Sequence, residues 1–136
     1  MATTVPLQAS DVDAALRDRG SSAYILTVSD DGSPHAVQVD IARAEAGGLT
    51  AAVGNTTASN ARTRPHVSLL FPFRHAGDYS LIVNATASVE REAEGHRLRL
   101  TPIRAVLHRP GPPPDPAASS CGSDCVPLSI PIRAPR

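Results

Sequence analysis

From Ala23 onward the chain is written in a period of two. In "AYILTVS" (residues 23–29) and "HAVQVDIA" (residues 35–42) apolar and polar residues alternate, with Val37, Val39 and Ile41 on one side and Gln38 and Asp40 on the other. The intervening "DDGS", with Asp31-Gly32, predicts a hairpin turn. After the turn "AEAGG", the segment "LTAAV" reads as a third strand. The unbroken apolar run "VSLLFPF" predicts a fourth, buried on both faces. "YSLIVNATASVERE" alternates again, setting Leu81, Val83, Ala85, Ala87 and Val89 opposite Ser80, Asn84, Thr86 and Ser88. Beyond the turn "AEG", Leu98 and Leu100 face in while Arg97 and Arg99 face out. About six closely spaced strands with one or two short helices predict a mainly β, antiparallel barrel or sandwich.

The flanks read differently. "SDVDAALRDRG" predicts a short helix, with Ser10 as N-cap, Asp11 and Asp13 in the first turn and Gly20 as the stop. From "HRPGPPPDPAASS" the prolines at 110, 112, 113, 114 and 116 cannot donate to a ladder, so the barrel is expected to end near Leu107. This divides the chain into a barrel domain, 1–109, and a proline-rich tail, 110–136, that carries Cys121 and Cys125. The apolar residues of "VPLSIPIRAPR" suit an edge strand or the surface of a partner subunit.

Composition narrows the function. A chain of 136 residues is one domain with a single modest core. Its 13 basic residues, all Arg, balance 13 acidic ones, and only four residues are Phe or Tyr, with no Trp. That removes the electrostatic case for nucleic acid or an anionic membrane surface, and the aromatic platforms on which bases stack. The N-terminus has no basic start, and no window approaches the length of a membrane span. A soluble, cytoplasmic protein with reduced thiols is expected. A barrel of about 85 residues with so few aromatics buries little apolar surface alone, which favours a homodimer.

Candidate chemistry centres on "AAVGNTTASNARTRPHVSLLFPF", Ala51 to Phe73. Either Thr57 or Ser59 caps a short helix there, or the hydroxyl-rich turn holds a phosphate. "CGSDC" offers Cys121, Asp124 and Cys125, an irregular set for zinc and a spacing unlike that of redox thiol pairs, so no metal site is assigned. His66, His75 and His96 are scattered without ligand spacing and read as loop or surface residues.

Taken together, "LTVSDDGSPHAVQVD", "LTAAV", "NTTASNARTRPHVSLLFP" and "YSLIVNATASV" resemble the FMN-binding split barrel of the pyridoxamine 5'-phosphate oxidase-like proteins. The most specific piece is Asn60, Pro65, Val67, Ser68 and Leu69 at their spacing after the DG hairpin. The resemblance implies a six-stranded antiparallel split barrel and a homodimer, with a groove for FMN, or in related members the deazaflavin F420, at the subunit interface. It places the flavin ring along "HAVQVDIA", hence His35, Gln38 and Asp40, and the ribityl chain and phosphate along "LTAAVGNTT", hence Thr56 and Thr57; Ser59, Asn60 and a cation from either Arg62 or Arg64 follow on the same short segment. Many members carry lysine at the position of Thr57, and the oxidases proper carry arginine at that of Thr56, so weaker FMN binding or a different ligand is expected here. Hydride chemistry belongs to the flavin, and the lack of a catalytic triad or carboxylate pair is compatible with an oxidoreductase. The alternatives are a binding protein without catalysis, and a scaffold for the cysteine tail.

Overall fold

The computed structural model describes residues 5–6, 14, 16–45, 47–110 and 123–129. Its strands are β1 (Val5–Pro6), β2 (Ser22–Val28), β3 (Pro34–Arg43), β4 (Leu49–Val53), β5 (His66–Phe71), β6 (Ser80–Glu92), β7 (Gly95–Pro110) and β8 (Ser123–Ser129). The sheet runs β1-β8-β7-β4-β3-β2-β5-β6, and β6 pairs back onto β7. The circuit β7-β4-β3-β2-β5-β6 is therefore a closed, six-stranded antiparallel barrel, mainly β as expected. Helical residues at 16–19 lead to Gly20, whose φ of +79° suits a helix stop, while Ser10, Asp11 and Asp13 lie outside the described residues.

Alternation along each strand builds the interior. Ile25, Leu69 and Leu98 are sealed from solvent at its centre, with Leu49, Phe71, Val83 and Leu100 around them and Ala23, Ala51, Ala85 and Ala105 filling the narrow remainder. The faces expected for β3, β6 and β7 hold. The expectation for "VSLLFPF" does not: Val67, Leu69 and Phe71 are buried, Ser68 and Leu70 only half-buried, and Phe73, beyond the strand's end, is 46% exposed. A barrel wall has one inner face, so a continuous apolar run there places half its members on the outside.

The hairpin at Asp31-Gly32 forms, but not as a two-residue turn. Gly32 N–H donates to Ser29 O and Ser29 N–H to Ser33 O, each at 2.9 Å, which encloses Asp30, Asp31 and Gly32. Among the described residues no non-glycine has positive φ, whereas Gly32 stands at +84°. Asp31 thus cannot supply the left-handed geometry of a two-residue turn, and Gly32 takes the single left-handed position of a three-residue loop.

β7 serves two neighbours in succession. Its first half pairs with β4 from Leu100↔Leu49 to His96↔Val53, and its second half with β8 from Arg104↔Ser129 to Pro110↔Ser123. Between the halves the β6 register slips, Asn84 meeting Arg104 and Ala85 meeting Pro102, so Ile103 is an extra residue. The bulge accommodates a proline that has no N–H for the ladder and lets the strand bend from one neighbour to the other. The pairing runs to Pro110, and β8 joins the same sheet. Residues 111–122, including Cys121, lie outside the described residues, as does the side chain of Cys125.

Candidate functional site

One helix interrupts the barrel wall, Asn55–Thr63 between β4 and β5. Its buried residues Thr57, Ala58, Asn60 and Ala61 recur at helical spacing, and that face packs on β6, β7 and β2. Asn60, 6% exposed, anchors it: Nδ2 donates to Thr27 Oγ1 at 3.1 Å and to Ser29 Oγ at 3.3 Å. The helix ends before Pro65, with Arg64 already extended and its N–H on Asn60 O at 2.8 Å. Arg64 also meets Asp30 at 2.9 Å on the open surface, a pair of little energetic weight.

The start of this helix decides between the two readings of "GNTTASNAR". Gly54 is the N-cap, in extended conformation, and no side chain caps the helix. Thr57 and Ser59 sit within it, so the capping role expected for either is corrected: the helix begins two residues before the first of them. Ala58 N–H donates to Gly54 O at 3.0 Å, which leaves the N–H groups of Asn55, Thr56 and Thr57 without an intrahelical acceptor.

Those residues close one end of a groove with a volume of about 490 Å³. β3 contributes His35, Val37, Gln38 and Val39 to its wall, and residues 52–57 supply the rest. A smaller depression of about 230 Å³ shares Gln38 and Val39 with it and adds Ser22 and Asp40. Gln38 Nε2 donates to Ser22 Oγ at 2.6 Å, and Ser21 Oγ to Asp40 Oδ1 at 3.4 Å, so Gln38 and Asp40 are held by serines at and just before the start of β2. Of the residues read from the sequence, His35, Gln38, Thr56 and Thr57 line the groove and Asp40 the smaller depression. Ser59 is exposed on the helix, Asn60 is engaged with Thr27 and Ser29, and Arg62 lies against β7.

At the helix start the structure adds His96. Its Nε2 lies 3.1 Å from Asn55 Oδ1, and its Nδ1 lies 3.4 Å from Arg62 Nη2. Neither Asn55 nor His96 stood out in the sequence, because the contact spans 41 residues and depends on the β4–β7 register that sets His96 beside Val53. Arg97 and Arg99 are ion-paired on the outer face with Glu92 and Glu90, and Glu92 holds the Arg97 guanidinium above its ordinary range. Among the described residues no three His, Cys, Asp or Glu side chains converge as a metal site would require. The donor set fits a phosphate: three backbone N–H groups, two threonines and a nearby guanidinium, at the end of a groove of the size that takes a cofactor.

No protein-family model matches the chain. Uncharacterized proteins of Mycobacterium bovis and Mycobacterium tuberculosis are each 36% identical to it over 122 residues, covering 80% of this chain and 86% of theirs. Among solved structures, a candidate pyridoxamine 5'-phosphate oxidase of Listeria innocua superposes with a TM-score of 0.59 at 18% identity, over 74% of this chain and 98% of that one. An FAD binding protein of Mycobacterium smegmatis gives 0.54 at 19% identity, over 75% and 94%. HutZ, the heme storage protein of Vibrio cholerae, gives 0.53 at 17% identity, over 69% and 89%. The fold is the pyridoxamine 5'-phosphate oxidase-like split barrel. Within it, the chain belongs to the family of the two mycobacterial proteins. Among the described residues no helix is long and apolar enough to cross a membrane.

Proposed function

We propose that the groove binds a flavin by its phosphate end, FMN first and the deazaflavin F420 as the alternative, and that the protein is an oxidoreductase acting on a small molecule. One observation carries this reading: the groove joins the unoccupied N–H groups of Asn55, Thr56 and Thr57 at one end to the β3 wall of His35, Val37 and Gln38 along its side. The bound flavin would supply the hydride and electron chemistry. The chain's own part is to hold the phosphate at the helix start, where the dipole favours an anion, and to set the ring against β3. A flavin-binding role also agrees with the likeness to the FAD binding protein of M. smegmatis.

The same account includes a second copy of the chain. Tyr24, Leu26 and Val28 are exposed along the outer face of β2, and the register sets Tyr24 beside Leu70, Ile82 and Val106 across β5, β6 and β7. Tyr24 is also the cross-strand neighbour of Gln38, so this apolar face adjoins the groove. A homodimer covering it would wall off the ring. Binding without catalysis is the second reading. It is favoured by Thr56 and Thr57, which bring hydroxyls where a phosphate of nearly two negative charges prefers cations. Fluorescence titration with FMN and F420 tests the proposal, with saturable binding at micromolar concentration expected for one of them. If neither binds, the enzyme reading fails.

A further inference from the structure

β3 keeps β2 beside it from Pro34 to Asp40, and β4 keeps β7 beside it as far as Val53. Between β3 and β4 themselves the ladder holds for only three pairs, Ile41↔Ala51, Ala42↔Thr50 and Arg43↔Leu49. The register would continue as Asp40↔Ala52 and Gln38↔Gly54, but those pairs do not form and the two strands part. The groove lies in that split, since residues of both strands line it. An extended residue turns its N–H and C=O to one neighbouring strand, and the next residue turns its own to the other. Ile41 N–H donates to Ser21 O at 2.7 Å, so Val37, Val39 and Ile41 spend their polar groups on β2. Ala44 N–H donates to Gly48 O at 3.1 Å, which puts the even-numbered residues of β3 on the β4 side. The N–H and C=O of Gln38 and Asp40 therefore face the split, and the same count turns those of Ala52 toward them from β4. Among the described residues no ladder pair takes them up. The Gln38 side chain is drawn toward β2 by its 2.6 Å bond to Ser22 and leaves this backbone edge uncovered. Val37, Val39 and Val53 supply the apolar wall beside it.

We propose that the split selects its ligand's ring through the main chain, with Gln38 N–H donating to a carbonyl of an imide and Gln38 C=O accepting the imide N–H. This rests on the flavin reading of the groove. Buried or half-buried peptide groups need partners, and a strip of them beside a valine wall suits a flat ring with an acceptor and a donor side by side on its rim. The N–H and C=O of one extended residue lie next to each other on the strand edge, as the oxygen and the N–H of an imide do. Gln38 is the residue that meets this requirement and lines both the groove and the smaller depression. The imide is common to FMN, riboflavin and F420. This contact therefore sets the class of ring, while the helix start sets the preference for a phosphate. No side chain takes part in the two bonds, so the residue type at position 38 does not announce them.

Methylation of the imide nitrogen removes the donor and sets a methyl group against Gln38 C=O. In fluorescence titrations of the intact protein, 3-methyl-FMN should bind about tenfold more weakly than FMN, the range for one hydrogen bond, and 3-methylriboflavin should lose the same factor against riboflavin. Gln38→Pro deletes the N–H without removing a bond of the β2 ladder, and should bind FMN about tenfold more weakly than Gln38→Ala, which keeps the N–H. Amide hydrogen exchange tests the same point without a variant. In the free protein the Val37 and Val39 amides should exchange slowly and that of Gln38 quickly, and saturation with FMN should protect Gln38. Equal affinity for FMN and 3-methyl-FMN, or a Gln38 amide that FMN leaves unprotected, overturns this proposal and leaves the flavin reading standing. Failure of both FMN and F420 to bind overturns both.

Discussion

Replacing Asn60 by Leu should loosen the helix from the barrel without removing any group from the groove. The side chain is buried, and its amide is divided between Thr27 Oγ1 at 3.1 Å and Ser29 Oγ at 3.3 Å. Thr27 is buried as well, so the substitution leaves a hydroxyl with no replacement donor in a dry site. Losing one good and one longer hydrogen bond, and stranding that hydroxyl, costs about 2–3 kcal/mol. For a domain of this size that is a fall in melting temperature of roughly 8–12 °C. Thr27→Val alone should cost about 1 kcal/mol, and the double variant should recover part of the loss, because both polar partners are then gone. Thermal denaturation followed by circular dichroism closes the cycle. Strict additivity would refute the buried network, and a stable Asn60→Leu protein that loses FMN affinity would make Asn60 a ligand rather than an anchor.

Thr57→Ala should weaken FMN by roughly 1–3 kcal/mol, the value of one hydrogen bond to a charged group, and leave riboflavin indifferent; equal loss for both ligands in fluorescence titrations would place Thr57 away from the phosphate. Leu26→Asp, on the exposed face of β2, should convert a dimer to monomers in sedimentation velocity and lower flavin affinity with it, and a wild-type protein that sediments as a monomer would remove the dimer from the account. At the hairpin, the Ser33 N–H donates to Asp31 at 3.0 Å and holds that carboxyl below its ordinary value. A depressed carboxyl stabilises the turn above the free aspartate range and loses that contribution as pH falls through its own lower midpoint, so an NMR titration of Asp31 should show a midpoint below that of an unstructured aspartate, and an equal midpoint would refute the bond.

The barrel strands were legible because one face of each is dry, which imposes a period of two on β2, β3, β6 and β7. "VSLLFPF" misled for a related reason. Leu70 and Phe73 are apolar without being interior, and Leu70 belongs to the outer face that it shares with Tyr24 and Ile82. Alternation cannot separate a residue that faces the core from one that faces a partner. The groove residues on β3 and at the helix start could be read from a contiguous stretch and its family likeness. Asn60 looked like a phosphate residue from the same stretch, although it lies a full turn beyond the helix start on the buried face, with its amide committed to Thr27 and Ser29. His96 had no local signal, since its environment is assembled by strand pairing across 34 and 41 residues of chain. Gly54 hid the helix start, because a glycine N-cap lacks the side-chain oxygen by which such positions are recognised.

The central claim, that the helix start receives the phosphate of a flavin, is tested most directly by amide chemical-shift mapping with FMN and riboflavin in parallel. Both ligands should shift the β3 amides from His35 to Val39. Only FMN should shift those of Asn55, Thr56 and Thr57, and displace them downfield as they take up a phosphate oxygen. Unmoved amides at 55–57 in an FMN-saturated protein, or equal shifts there with riboflavin, would contradict the account.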